Sequence, residues 1–503
     1  MTQGTEPPMS TPHASWLDRI ETLGNKIPHP TLLFVYLSLS VVMLSWLLST
    51  TGLNSVHPVS GASVDVVNLV SRDGLQRILT EAVSNFIGFA PVGTVLVAML
   101  GIGIAEQSGL LSTLMRGLVN AASPASLSFF VALTGVLSSL AADSGYVVLI
   151  PLAGALFAAS GRPPLAGIAT AFAGVSAGYS ANLAIGPLDA MLAGISTEAA
   201  QLVDSNANIS PAANYYFMAA STFLVAWLVA QITEKVTIPR LQPADITRVT
   251  NKGAAQLEPG DKQALRWVGV TSALFLGLLL LALLPENGWL RDSNGSVIKG
   301  PFIQGIVSII AVYFALIGSV FGLVSGRFSD TREIIESMES AMRMMAGYLV
   351  LMFFAAQFVN YFAWTNLGLI TAIRGAELLQ ASQLDGKLVL LLFVLLAAAI
   401  NLLIGSASAK WSVIAPVFIP MLLLYGVAPE AVQAAYRIGD SSTNIITPLM
   451  PYFGIVVAFA QRYQARAGIG TVVALMLPYS LALLLGWSAL LGIWLYFDIP
   501  LGP

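Results

Sequence analysis

Apolar runs of about 18 residues or more, the length a helix needs to cross a bilayer, recur along this chain. They begin near Thr31, Asn85, Asn214, Trp267, Phe302, Met345 and Thr471, and each predicts one spanning helix. Two longer apolar blocks, 124–196 and 387–462, are interrupted by small and polar residues and do not divide into spans by hydropathy alone. Between two of the spans, Ile335, Met338, Met342 and Met345 recur at helical spacing against Arg332, Glu333 and Glu336. That pattern fits either a helix lying at the membrane interface or an extension of the span that follows.

Composition agrees with the pattern. Of 503 residues, 56% are hydrophobic and 10% charged, against about 25% charged in a soluble domain. The chain reads as an all-α polytopic membrane protein. It has no Cys, which excludes disulfides and thiolate metal sites. The stretch before Pro30 lacks the short apolar core and small-residue cleavage site of a signal peptide, so no cleaved leader is expected.

Basic residues orient the spans. Lys235, Arg240, Arg248, Lys252, Lys262 and Arg266 mark one cytoplasmic loop, Arg327, Arg332 and Arg343 a second, and Arg462 and Arg466 a third. The stretch 198–211 and the tail after Phe497 carry no basic residue and belong outside. One economical topology satisfies these points: about nine transmembrane helices plus two re-entrant helical hairpins. It divides the chain into a cytoplasmic N-terminal segment 1–30, a first half 31–234, a cytoplasmic linker 235–266 and a second half 267–503. The first half holds a hairpin at 124–160 and a broken helix at 163–196; the second holds a hairpin at 387–424 and a broken helix at 428–462.

The two interrupted blocks resemble each other. At one constant offset, Tyr146 superposes on Trp411, Pro151 on Pro416, Gly161 on Gly426, Pro164 on Pro429, Gly174 on Gly439 and Ser176 on Ser441. After a short gap, Ser180-Ala181-Asn182 falls on Ser442-Thr443-Asn444. Because one block starts inside and the other outside, this predicts an inverted repeat. Each copy should have a polar hairpin tip (141–145, containing Asp143 and Ser144, or 405–408) and a helix break, at 178–182 in the first copy and 439–444 in the second. Broken helices at membrane depth line a cavity or are buried in protein. Their carbonyls and Ser, Asn and Asp oxygens suit a hard cation such as Na⁺, and their half-helix N-termini suit an anion.

Charge at such depth is costly and marks function. Arg437 and Asp440 are spaced to share one face if helical. They either neutralise each other, or Arg437 meets a substrate carboxylate while Asp440 holds Na⁺ or takes up a proton. Asp189 has no basic neighbour in sequence and is a candidate for coupling. Asn182 and Asn444 occupy equivalent positions and are candidate ion or substrate ligands. Trp411 can stack an aromatic ring or simply pack. Lys410 either reaches for the interface or pairs with substrate.

Five blocks, PHPTLLFVYL, FIGFAPVGTVLVAMLGIGIAEQSGLL, ANLAIGPLDAMLAGIST, GSASAKWSVIAPVFIPM and YRIGDSSTNIITPLMPYF, occur in an order that resembles the AbgT family of p-aminobenzoyl-glutamate transporters. The likeness covers nearly the whole chain. While the loop charges put the N-terminus in the cytoplasm and the C-terminus in the periplasm, the likeness implies a homodimer in the bacterial inner membrane and coupling to Na⁺ or protons with no other cofactor. It implies two activities, p-aminobenzoyl-glutamate uptake and export of sulfonamide antimetabolites; the TNIITP ending leans toward the exporters. The family's substrate positions match Asp189, Trp411, Pro429, Arg437, Asp440 and Pro448, and an asparagine tied to Na⁺ matches Asn401. At the first tip some members read Ser-Ser-Asp-Ala where this chain reads Ala-Ala-Asp-Ser, which puts an ion site there in question.

Other classes fit less well. No Gly-x-x-x-x-Gly-Lys-Ser/Thr loop is present, against an ATP-driven pump. An intramembrane aspartyl protease would leave the Ser-x-Asn breaks unexplained, and nothing suggests a nucleic-acid partner. The expected partners are a small-molecule substrate and lipid.

Overall fold

The computed structural model describes residues 30–56, 61–120, 123, 126–141, 145–241, 259–297, 300–450 and 452–503. Almost all of the N-terminal segment, the centre of the 235–266 linker, and Asp143 and Ser144 at the first tip lie outside them. The described chain is helical apart from one antiparallel strand pair, Asn54–Val56 with Ser63–Asp65. Eight of its helices are long and apolar enough to cross a membrane: Thr31–Thr50, Ala90–Gln107, Tyr215–Arg240, Gly260–Leu283, Ile306–Ser325, Ala346–Trp364, Ala407–Leu424 and Ile469–Tyr496. Only 11% of the apolar window in Gly260–Leu283 is buried; its Leu274, Leu278 and Leu281 face outward, as a lipid-facing helix requires. This is an all-α polytopic membrane protein.

Several boundaries differ from expectation for local reasons. The span expected from Asn85 starts at Ala90, with Pro91 in its first turn, where a missing N–H costs nothing; Ala82–Ile87 is a separate short helix. Arg332–Met344 is a helix of its own, ending at Met345 before the next span. It buries Ser337 and Ala341 against Ala90–Gln107 and leaves Ile335 and Met344 exposed. Two helices carry no strong hydropathy signal, Leu110–Asn120 and Leu367–Ser382. The latter turns through 118° into Gly386–Asn401.

The first expected hairpin has Leu127–Leu137 and Ile150–Ala159 as its two arms, each packed on the broken helix that follows. Its open end is closed by Arg162, which donates to Ser128 Oγ at 3.3 Å. Gly386–Asn401 and Ala407–Leu424 form the other, closed where the Tyr425 hydroxyl donates to the Leu384 carbonyl. After each hairpin comes a broken helix. The first runs Pro164–Phe172, passes through a π-turn at Ala173–Ala177 and an irregular stretch at 178–186, then resumes at Pro187–Ala200. The second runs Pro429–Thr443, makes one 3₁₀ turn at Asn444–Ile446, and resumes at Phe453–Gln461. The expected break at 439–444 is therefore corrected: Gly439 to Thr443 are still helical, and the irregular stretch begins at Asn444.

Packing repeats between the copies. A Cβ added to Gly174 would lie 2.6 Å from the Ala132 carbonyl, and one added to Gly439 would lie 2.8 Å from Ala397 Cβ. Ala132 and Ala397 are related by the same offset that superposes Gly174 on Gly439. In both copies a glycine lets the broken helix press onto the same position of its hairpin, a close approach that membrane helices use in place of a hydrophobic drive.

Both hairpins, both broken helices and Ile469–Tyr496 share one large apolar core. Smaller cores join Pro30–Thr50 to Ala346–Trp364 and Ala90–Gln107 to Pro259–Leu283 and Ile306–Ser325. Ion pairs collect the loops at two ends. Arg162 meets Glu234 at 2.5 Å and Arg327 meets Asp261 at 2.8 Å, all residues expected inside. Lys387 meets Asp498 at 3.0 Å, both expected outside.

Candidate transport site

A cavity of about 330 Å³ lies where the two copies meet the surrounding helices. The first hairpin and break supply Ser139, Tyr146, Tyr179 and Leu188. The second tip supplies Gly405 to Ser408, the second break Asn444 and Tyr452, and the outer wall Val95, Met99, Met345 and Tyr348. Tyr146 and Tyr452 stack with centroids 4.4 Å apart, so an aromatic face is already part of the lining. Behind Tyr179 and Pro187 lies a satellite space of about 10 Å³ that reaches Asn182, Asp189 and Arg437. It shares Ser139, Tyr179, Pro187 and Leu188 with the main cavity.

The buried charges pair differently from their sequence order. Arg437 does not pair with Asp440, its neighbour one helical turn on; its Nη2 meets Asp189 Oδ1 from the other copy, and Nη1 donates to the Ser180 carbonyl at 3.4 Å. Asp189 is thus no lone carboxylate. Its second oxygen accepts the Gly186 N–H at 2.7 Å, which caps Pro187–Ala200, an arrangement that favours negative charge. Arg437 Nε has no hydrogen-bond partner among the described residues. Asp440 pairs instead with Lys410, and Lys410 also donates to Asn401 Oδ1. All three are buried, so Lys410 does not reach for the interface.

Asn401 closes the second break. Its Nδ2 donates to the Asp440 carbonyl at 2.6 Å, to Thr443 Oγ1 at 2.8 Å and to Asn444 Oδ1 at 2.9 Å. The Asp440 carbonyl belongs to the last turn of a helix, where backbone acceptors lose their intrahelical donors; a side chain from the hairpin supplies one. Asn182 and Asn444, equivalent in sequence, bond differently. Asn182 Oδ1 accepts the N–H groups of Leu183 at 2.8 Å and Ala184 at 3.2 Å, and its amide donates to Ser139 Oγ at 2.7 Å. It fastens the break, whereas Asn444 also lines the cavity.

The remaining expected residues separate. Trp411 is fully buried, stacks on Tyr436 at 4.3 Å and donates to Ser196 Oγ at 3.1 Å; it is sealed off from the cavity lining. Pro429 starts its helix, about 12 Å of helical rise from Arg437. Pro448 sits in the second break, whose next carbonyl, that of Leu449, closes on Gly405 of the hairpin tip. The sequence reading did not single out Ser139, Tyr179 or Gln433. Gln433 accepts from Ser196 Oγ at 2.7 Å and donates to Asn214 Oδ1 at 3.0 Å. Its signal was available: positions 433, 437, 440 and 444 share one helical face.

Residues 15–503 match the model of the "AbgT putative transporter family". A relative from Escherichia coli (strain K12), the p-aminobenzoyl-glutamate transport protein, is 36% identical over 489 residues, spanning 97% of this chain and 95% of that protein. Among solved structures, the Alcanivorax borkumensis YdaH transporter, described as having an unusual topology, superposes with a TM-score of 0.89 at 53% identity, over 95% of this chain and all of that one. Neisseria gonorrhoeae MtrF, described among a class of antimetabolite efflux pumps, gives a TM-score of 0.91 at 45% identity, over 95% and 97% of the two chains.

Proposed function

Because the chain belongs to the AbgT family of transporters, and is not an enzyme, we propose that it is a secondary transporter exporting sulfonamide-like or p-aminobenzoyl-glutamate-like compounds against a cation gradient of Na⁺ or protons. One observation carries this reading: the Arg437–Asp189 pair joins the two copies directly behind the cavity wall. A guanidinium with an unused Nε–H is built to exchange one carboxylate for another, or for an anionic equivalent, and bidentate recognition of that kind is what its geometry favours. The stacked Tyr146 and Tyr452 add aromatic surface to the lining of the adjoining cavity. The substrate names come from the E. coli relative and the Neisseria structure. Loop sorting supports an N-terminus in the cytoplasm and a C-terminus outside it, in the inner membrane, and the same reading takes the protein as a homodimer.

Proteoliposomes with imposed Na⁺ or proton gradients, loaded with labelled p-aminobenzoyl-glutamate or a labelled sulfonamide, test it. Flux that follows one gradient and disappears with Arg437→Ala is expected. Flux that responds to neither gradient would overturn coupling, and uptake under physiological gradients would reverse the assigned direction.

A further inference from the structure

Five oxygens converge beneath the second hairpin tip: Asn401 Oδ1, Asp440 Oδ1, the Asp440 carbonyl, Thr443 Oγ1 and Asn444 Oδ1. By type this is a donor set for a hard cation. In this chain every member already faces an ammonium or an amide N–H, Asp440 Oδ1 through an ion pair with Lys410 and not a hydrogen bond. Lys410 Nζ meets the first two, and the two hydrogens of the Asn401 amide are shared among the other three, which lie 2.6 to 2.9 Å from Nδ2. The amide orientation is forced, because an ammonium only donates; with Lys410 in place, Asn401 must present its oxygen there and turn its NH₂ to the other oxygens. A Na⁺ placed in this shell would sit against a second cation and two amide hydrogens. The residues do not fit Na⁺.

The position of Lys410 points the same way. It is the fourth residue of Ala407–Leu424, which is capped by Ser406, and a cation near a helix N-terminus opposes the helix dipole. Helix stability therefore does not explain it; Asp440 and Asn401 do. We propose that the Lys410 ammonium is the resident cation of this pocket, a tethered ion occupying the place of Na⁺, so that the site excludes Na⁺ while Lys410 stands. This goes beyond the transport reading, since it concerns cation binding and holds or fails whatever compound is carried.

The test is thermal unfolding of purified full-length protein in NaCl against choline chloride at equal ionic strength. Wild type should unfold at the same temperature in both salts. Lys410→Met should gain a saturable, Na⁺-specific rise in Tm of several degrees, and Lys410→Met with Asp440→Asn should lose that rise. Should Lys410→Met survive purification only in Na⁺, that selectivity is the same result. The proposal is overturned if wild type shows a saturable Na⁺-specific rise that Asp440→Asn removes. It is equally overturned if Lys410→Met behaves alike in both salts, whether stable or lost in each. Because no flux is measured, a negative transport assay beside a positive result here would count against the transport reading alone.

Discussion

The two copies of the repeat build the same scaffold with opposite interiors. Where the second has Asn401, Lys410, Arg437 and Asp440, the first has Val136, Gly145, Phe172 and Val175 at the corresponding positions, all buried. Even the approach is kept: a Cβ on Gly145 would lie 3.0 Å from Val175 Cγ1, the counterpart of the Lys410–Asp440 contact. The first copy shows that this packing needs no charge. A buried ion pair is commonly no more stable than the apolar side chains that could replace it, and often less so by about 1–4 kcal/mol. The charges at these four positions of the second copy are therefore not required by the packing that the two copies share.

The sharpest way to break this comparison is to remove one charge from the second copy. Asp440→Ala leaves Lys410 buried without its counter-ion and should cost roughly 3–5 kcal/mol and abolish transport, read by denaturant unfolding and proteoliposome flux. Pairing Lys410→Met with Asp440→Leu should recover most of the stability and none of the transport; recovery of both would mean the pair is mere filling. In the first copy, Val175→Asp places a carboxylate where Gly145 offers no cation, and should destabilise by a similar ~3–5 kcal/mol. Tolerance there would show that the copies differ less than their packing suggests. Arg437→Lys keeps charge and loses the fork, so affinity for an anionic substrate should fall about tenfold or more, roughly the worth of one charge-assisted hydrogen bond, with little change in Tm. Asn182→Ala should be mildest, costing about 1 kcal/mol and retaining flux, whereas Asn401→Ala should lose flux.

The architecture was legible because it rests on long-range averages. Span length, loop charge and a repeat of glycines and prolines survive without knowing any contact. Helices such as Leu367–Ser382, carrying Arg374 and Glu377, escaped because hydropathy sees only the wholly apolar ones. At the site, the sequence shows which polar and charged residues lie in apolar surroundings but not which partners they meet. Arg437 and Asp440 share a helical face, and nothing local reveals that Asp189 lies across the repeat boundary or that Lys410 turns inward. The type of Trp411 allows either stacking or packing; that its face is taken by Tyr436 is a fact of tertiary packing. The polar run predicts a break from Gly439 because Gly, Ser and Asp weaken helices on average, whereas Gly439 lies in the helix where it packs so closely on the hairpin that an added Cβ would clash with the Val394 carbonyl and Ala397.

The chain of bonds from Trp411 through Ser196, Gln433 and Asn214 to the Glu430 carbonyl crosses from one copy to the other and back, and Arg437–Asp189 adds a further tie. Mechanically these are rivets. A rocking motion that parted the copies would have to break them all together. The seam against Val95, Met99 and Met345 is made of apolar side chains, and the polar link from Ala90 N–H to Glu198 at 3.2 Å crosses nearby. Sliding along that seam would disturb fewer such bonds, which favours motion of the two copies together over rocking of one against the other.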